Sequence, residues 1–443
     1  MRYAPPGLCL NDFALLSEGG VHTLLHLQGP WTEEFDATRM ETSYGRATST
    51  DLVRWEPQGG AFGVGLPGGF DDAAVWTMHP FPHEGGLTMY YTGVRTAVPG
   101  GWPIQSVGLA RSARRDGTGW RRHGTGPVVE ADPRWYRTGE GMAWRDPFVV
   151  RDDDGTGWTM VLCASDTSLP QERSGCVGLA VSADLVHWEV RPPLISPGDV
   201  DELECPVLER VADGWLLFGC VGATRRVETW RAPRLDGPWE RVGPLAPADV
   251  YAPRVTTAPD GQRVVLHTTP RRTGLSDSGA PCRGMLAQPK VLAVPADGVP
   301  RLEWWSGLDA WLGEPGDGPA LHAAGDVEVA GRTEVVLRED AAGPALLVGC
   351  AGREIWVTGA GGSRLRETVL DREPGRLRIL TVGEYVEVYA DGVFVLAAAG
   401  YAGRPVAWRA VSGGTARAVR VRPVRLPDPD RGDVSAVWPG PVG

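Results

Sequence analysis

The sequence predicts an all-β fold, a five-bladed β-propeller followed by a C-terminal β-sandwich, and three observations carry that prediction. Glycine and proline number 60 and 38 among 443 residues and leave few stretches free enough of breakers for a helix. Short apolar runs of strand length stand between Gly, Pro and Asp turns: His22 to Gly29, Leu87 to Val94, Trp158 to Ser165, Trp215 to Gly222 and Arg263 to Pro270. Finally, the octad Ser49-Thr50-Asp51-Leu52-Val53-Arg54-Trp55-Glu56 recurs as Ser182-Ala183-Asp184-Leu185-Val186-His187-Trp188-Glu189, with looser copies ending in Trp120 and Trp239. Strands and turns repeating at a period of tens of residues argue for a propeller over a helical solenoid, and five runs predict five blades.

Taken in order, Phe13-Ala14-Leu15-Leu16 reads as the innermost strand of the first blade, Phe148-Val149-Val150 as a strand start in mid-chain, and Cys205 to Leu208 as a later one. The propeller is expected over residues 1–292, a connecting segment over 293–319 and the sandwich over 320–443. In the connection, Leu286 to Leu302 reads as one strand and Glu314 to Pro319 as a linker. Beyond it, Glu328 to Arg338, Ala345 to Val357, Arg376 to Tyr389 and Val393 to Ala399 alternate or run apolar between turns, as sandwich strands do.

Charge and cysteine usage narrow the setting. The net charge is −11, and Lys290 is the only lysine, so no basic stripe exists to follow a phosphate backbone and nucleic acid is excluded as a partner. The first residues hold no apolar signal core and no stretch reaches membrane-spanning length. Seven cysteines without CxxC spacing read as buried thiols in a reducing compartment, so a cytoplasmic location is expected. Eight histidines without paired metal spacing predict no metal site.

Three acidic motifs, far apart in the chain, each abut a strand: Asn11-Asp12, Trp144-Arg145-Asp146-Pro147 and Glu204-Cys205-Pro206. A radial fold brings such carboxylates to one central pocket, the pattern of a glycosidase. Taken singly, Asn11-Asp12 is equally a turn pair, Arg145-Asp146 a surface ion pair and Glu204 an edge-strand glutamate. Arg145 beside Asp146 favours an ionised aspartate, whereas an apolar setting for Glu204 favours a retained proton, which a general acid requires. Asp201 and Glu202 read as the solvated part of the acidic run. The tryptophans of the repeat, Trp55, Trp120, Trp188 and Trp239, read as packing residues. Trp76, Trp135 and Trp144 lie outside the repeat and near the acidic motifs, as sugar-stacking residues would. Trp304, Trp305 and Trp311 are expected to fill the junction between domains.

These residues together resemble glycoside hydrolase family 32, the invertase, inulinase and levanase family, in which a five-bladed propeller precedes a β-sandwich. The family's W-x-N-D-P-N-G, R-D-P and E-C motifs fall on Asn11-Asp12, Arg145-Asp146-Pro147 and Glu204-Cys205. Gln28 with Pro30, Tyr44 to Ser49 and Asp249-Val250-Tyr251-Ala252-Pro253 resemble further family segments, as does Leu377 to Gly392 in the tail. The resemblance implies Asp12 as nucleophile, Asp146 as transition-state stabiliser and Glu204 as acid/base, with Asn11, Gln28, Trp76, Thr77, Arg145, Cys205 and Tyr251 around the sugar. It implies hydrolysis with retention of a β-D-fructofuranoside such as sucrose or a short fructo-oligosaccharide, with no cofactor and, through the sandwich, a possible homodimer. This chain departs from the family at Phe13-Ala14-Leu15, where Pro-Asn-Gly is usual, at Val75 to His79, at Arg46 and at Arg254. Those departures keep open two alternatives: a family 43-like arabinofuranosidase or xylosidase, and a propeller that binds carbohydrate without turnover.

Overall fold

The computed structural model describes residues 3–5, 7–29, 40–222, 224–246 and 250–425. Pro30 and Asp249 of the family-like segments lie outside the described residues. Strand dominates, and the strands fall into consecutive antiparallel meanders. The first joins β1 (Cys9–Glu18), β2 (Val21–Gly29), β3 (Ser43–Ser49) and β4 (Glu56–Gly63). The second joins β5 (Ala74–His83), β6 (Gly86–Thr96), β7 (Pro103–Ser112) and β8 (Arg121–Arg122). Next come β9 (Trp144–Arg151), β10 (Trp158–Ser165), β11 (Gly175–Ser182) and β12 (Glu189–Ile195). They are followed by β13 (Leu203–Val211), β14 (Gly214–Val221), β15 (Arg226–Ala232) and β16 (Glu240–Pro244). A last meander has β17 (Tyr251–Thr257), β18 (Arg263–Arg272) and β19 (Pro281–Leu286), and β19 pairs with β1 through Leu10 and Gly284.

The leading strands touch in sequence: β1 meets β5, β5 meets β9, β9 meets β13, β13 meets β17, and β17 returns to β1. Apolar side chains fill the space between successive meanders. Tyr44 packs with Tyr91 between the first two, Tyr90 with Met160 between the next, and Val177 with Leu217 beyond. Each sheet is therefore covered on both faces, which explains near-continuous apolar runs such as Trp158 to Ser165 in place of alternation.

The octad repeat makes the turn into the fourth strand. Asp51 Oδ1 accepts from the backbone N–H of Val53 and Arg54, both at 2.8 Å. Asp184 Oδ1 accepts from Val186 at 2.9 Å and His187 at 2.8 Å. Leu52 and Leu185 share a left-handed φ of 62°. The indole N–H of Trp55 donates to the Leu52 carbonyl at 3.2 Å, and Trp120 and Trp239 make the same kind of contact to Gly117 and Leu235. These tryptophans are thus structural punctuation.

A second repeated device has no octad to announce it. Every leading strand breaks register with its neighbour at one level: between Leu10 and Phe13, between Trp76 and Met78, between Arg145 and Phe148 opposite Val161 and Cys163, between Glu204 and Val207, and between Tyr251 and Arg254. In the last three, a left-handed residue precedes a proline: Asp146 at φ 60°, Cys205 at 48° and Ala252 at 47°. Bulges bend a strand and re-aim its side chains.

The remaining strands are β20 (Lys290–Ala293), β21 (Arg301–Trp304), β22 (His322–Glu328), β23 (Thr333–Asp340), β24 (Gly343–Ala351) and β25 (Glu354–Thr358). After them come β26 (Arg364–Val369), β27 (Arg376–Val382), β28 (Tyr385–Ala390), β29 (Val393–Ala399), β30 (Arg404–Ser412), β31 (Thr415–Ala418) and β32 (Val421–Pro423). One sheet runs β26-β25-β24-β23-β30-β31; the other runs β32-β22-β27-β28-β29 and continues through β21 and β20 into β18. Val335, Val348 and Ile355 of the first share a core with Ile379, Val388 and Leu396 of the second. Trp304 and Trp305 pack where these sheets meet the meanders.

Four expectations about single strands are corrected. Leu286 to Leu302 holds two short strands joined by a turn, not one. Ala345 to Val357 and Arg376 to Tyr389 are hairpins, turning at Gly352 (φ 57°) and Gly383 (φ 62°), because only glycine enters that region without strain. Glu328 to Arg338 straddles the turn between β22 and β23.

Candidate active site

The bulges put acidic side chains into a cavity of about 570 Å³ where the leading strands converge. Of the sequence-predicted residues, Asn11, Asp12, Trp76, Thr77, Arg145, Asp146, Glu204 and Tyr251 line it. Gln28 and Cys205 are not among the lining residues. Gln28 turns toward β3, donating to Ser43 Oγ at 3.3 Å, and Leu27 lines the cavity in its place. Cys205 is buried and contributes its backbone, whose N–H donates to Asp146 Oδ2 at 2.8 Å. Trp144 belongs to the core, its indole N–H donating to the Val129 carbonyl. Trp135 does not line the cavity.

Asp12 is 9 % exposed and Asp146 3 %. Thr77 Oγ1 donates to Asp12 Oδ2 at 2.5 Å, while Asp12 Oδ1 is buried and makes no hydrogen bond. The Asp146 backbone N–H donates to Thr92 Oγ1 at 2.9 Å, which pins the bulge. Glu204 accepts from the Tyr251 hydroxyl and, at 2.7 Å, from Arg145 Nη2. Asn11 Nδ2 donates to Glu41 Oε1 at 3.4 Å.

Burial raises all three carboxyls above their usual range. For Asp12, the Thr77 hydrogen bond and the charge of buried Arg254 oppose the rise, while Glu204 adds to it. For Asp146 the opposing group is Arg145, whose Nε lies 3.7 Å from Oδ2. For Glu204, Arg145 opposes and Glu202 reinforces. Each of the three also feels a neighbouring carboxylate, Asp12 that of Glu204, Asp146 that of Asp12 and Glu204 that of Asp146, and these charges push in the same direction as burial.

Several lining residues carried no motif in sequence, Arg225 and Thr268 among them. Glu41, Trp102, Gln105 and Glu202 come from connections or from strands without an acidic signature. Glu202 corrects the reading of a solvated acidic run: its carboxylate grips Arg145 at 2.6 and 3.3 Å. Trp102 stands at the end of the β6–β7 connection, 63 % exposed, with its ring on the cavity wall. Asp12, Asp146 and Cys205 bring donor atoms within 4.8 Å of one another. They suit a cation poorly, since burial keeps the Cys205 thiol protonated and Arg145 already supplies positive charge.

Residues 10–229 match the glycosyl hydrolases family 32 N-terminal domain. Sucrose-6-phosphate hydrolase from Lactobacillus gasseri superimposes with a TM-score of 0.73 at 17 % identity, over 94 % of this chain and 90 % of that one. A GH32 beta-fructofuranosidase from Bombyx mori, solved in complex with sucrose, gives 0.71 at 17 % identity over 96 % and 93 %. Exo-inulinase from Aspergillus awamori gives 0.67 at 18 % identity over 95 % and 96 %. The protein is a glycosidase. It belongs to glycoside hydrolase family 32. Among the described residues, no helix is long and apolar enough to cross a membrane.

Proposed function

We propose that this chain hydrolyses β-D-fructofuranosides, sucrose or short fructo-oligosaccharides, with retention, inside a five-bladed propeller spanning residues 1–292 and backed by a sandwich at 320–443. The observation that carries the reading is the convergence of Asp12, Asp146 and Glu204 on one cavity from three separate bulged strands. The cycle of contacts among β1, β5, β9, β13 and β17 supports the blade count.

In this reading Asp12 attacks the anomeric carbon, while Thr77 orients its carboxylate through Oδ2. Glu204 gives its proton to the leaving oxygen and then takes one from the water that releases the glycosyl-enzyme. Its contact with Tyr251 suits both states, because a phenol oxygen donates to a carboxylate and accepts from a carboxylic acid. Asp146, held by the Cys205 N–H and Arg145, accepts from sugar hydroxyls and faces the positive charge that develops on the ring. Trp76 and Trp102 offer aromatic walls for the sugar faces.

Product analysis over fructosides, arabinosides and xylosides, with the anomer followed by NMR, tests the substrate and the stereochemistry together. Fructose release with retention is expected. Glu204→Gln should cost about 10²–10⁴-fold in kcat/KM on sucrose, and Asp12→Asn should abolish turnover while leaving sucrose binding. Release of arabinose or xylose without fructose overturns the substrate; wild-type rates equal to those of both variants overturn catalysis.

A further inference from the structure

Arg145 carries one positive charge and is surrounded by more acid than it can neutralise. Its Nη2 reaches Glu202 at 2.6 Å and Glu204 at 2.7 Å, its Nη1 reaches Glu202 at 3.3 Å and the Gln105 amide oxygen at 3.4 Å, and its Nε lies 3.7 Å from Asp146. The two glutamates differ in setting. Glu202 keeps 34 % of its side chain exposed, so water supports its charge, whereas Glu204 keeps 21 % and sits against Tyr251. Glu202 also takes two of the guanidinium contacts and Glu204 one. A planar guanidinium gives its strongest bonds to the carboxylate it meets in a two-point fork.

We propose that Glu202 is a positioning residue: by holding the Arg145 guanidinium in a two-point grip it diverts that charge from Glu204, which is thereby left able to carry the proton for the leaving group. The inference rests on Glu204 as the proton donor. Glu202 lies two positions before it, just ahead of β13, and both side chains meet the same cation. The other groups around Glu204 include Asp146 from β9, Cys163 from β10, Cys220 from β14, Tyr251 from β17 and, across the cavity, Asp12 from β1, with Arg225 of the β14–β15 connection lining the same cavity. The acids among them oppose ionisation of Glu204. Arg145, with the Tyr251 hydrogen bond, favours it. The share of Arg145 that Glu204 receives therefore decides where its proton is lost, and Glu202 controls that share through both its grip and its own negative charge.

The test is the neutral, isosteric variant Glu202→Gln, with Glu202→Asp as the charge-retaining control. With sucrose, the alkaline limb of kcat/KM should move to lower pH by roughly half to one unit in Glu202→Gln and return toward the wild-type position in Glu202→Asp. With a fructofuranosyl fluoride, whose leaving group needs no proton, that displacement should disappear. The ¹³C carboxyl resonance of Glu204, assigned by its loss in Glu204→Gln, should titrate at lower pH in Glu202→Gln, a readout that does not need turnover. A uniform fall in kcat with an unmoved limb and an unmoved resonance overturns the inference and leaves Glu202 a structural anchor for Arg145. The reading of Glu204 as donor fails separately, if Glu204→Gln keeps wild-type turnover of sucrose.

Discussion

At Asp12 a single hydroxyl tunes the carboxylate. The Thr77 hydroxyl, 2.5 Å from Oδ2, opposes the effect of burial on this carboxyl. Replacing it by Val removes the donor while keeping the side chain's shape, so Asp12 takes up its proton at higher pH. The acidic limb of the kcat/KM profile on sucrose should therefore move upward in Thr77→Val, with little change above neutrality. The three acids were legible from sequence because each stands beside a recognisable partner: Asn11, the Arg145-Pro147 pair and Cys205-Pro206. Glu202 was not, since its character depends on a guanidinium 57 residues away. Trp144 misled for a related reason: proximity to an acid in sequence says nothing about which face a bulged strand turns inward, and its ring faces the core.

Among the elements, the octad shows what a repeat can reveal and what it cannot. Its Asp and Trp announced the turn, and both are used there: Asp51 accepts two backbone N–H groups and Trp55 caps the Leu52 carbonyl. Asp51→Ala leaves those donors without their acceptor and should cost about 1 kcal/mol, the scale of a lost helix cap, read as a lower urea midpoint. The bulges were invisible because they are a property of register, which no single strand carries in its composition. Their trace is a proline after each left-handed residue at Asp146, Cys205 and Ala252. Ala252 is fully buried, and a β-branched side chain at φ 47° meets both backbone strain and crowding. Ala252→Val should lose more than about 1 kcal/mol by the same urea assay and should displace Tyr251, lowering kcat as well. The hairpins at Gly352 and Gly383 escaped the sequence reading because apolar runs on both sides of a two-residue turn look continuous.

At the scale of the whole molecule, two buried polar groups make stability testable. His26 is buried at the root of β2, bonded to Tyr3 Oη at 3.2 Å, and burial pushes its pKa down to about 4. Its contribution is fully present above the unfolded value near 6.5 and is lost as pH falls from there toward 4. It amounts to on the order of 3 kcal/mol at about 1.4 kcal/mol per unit. The urea midpoint should drop between pH 7 and pH 5, and His26→Gln should remove part of that drop, the rest belonging to buried His79 and His267, which burial lowers in the same direction. The second feature joins the meanders to the C-terminal sheets. Lys290 on β20 pairs with Glu387 on β28, both fully buried; Lys290 also bonds the Gln288 carbonyl at 2.9 Å, and Glu387 accepts from Tyr385 and Tyr389. Lys290→Met strands the carboxylate and should cost about 3–5 kcal/mol, whereas the double replacement Lys290→Met with Glu387→Leu should recover most of it. Because this is the sole lysine of the chain, the folded surface offers no ε-amine to an acylating reagent. Incorporation of such a label at Lys290 becomes a clock for the opening of this seam, and its rate against denaturant reads the local unfolding free energy without any engineered probe.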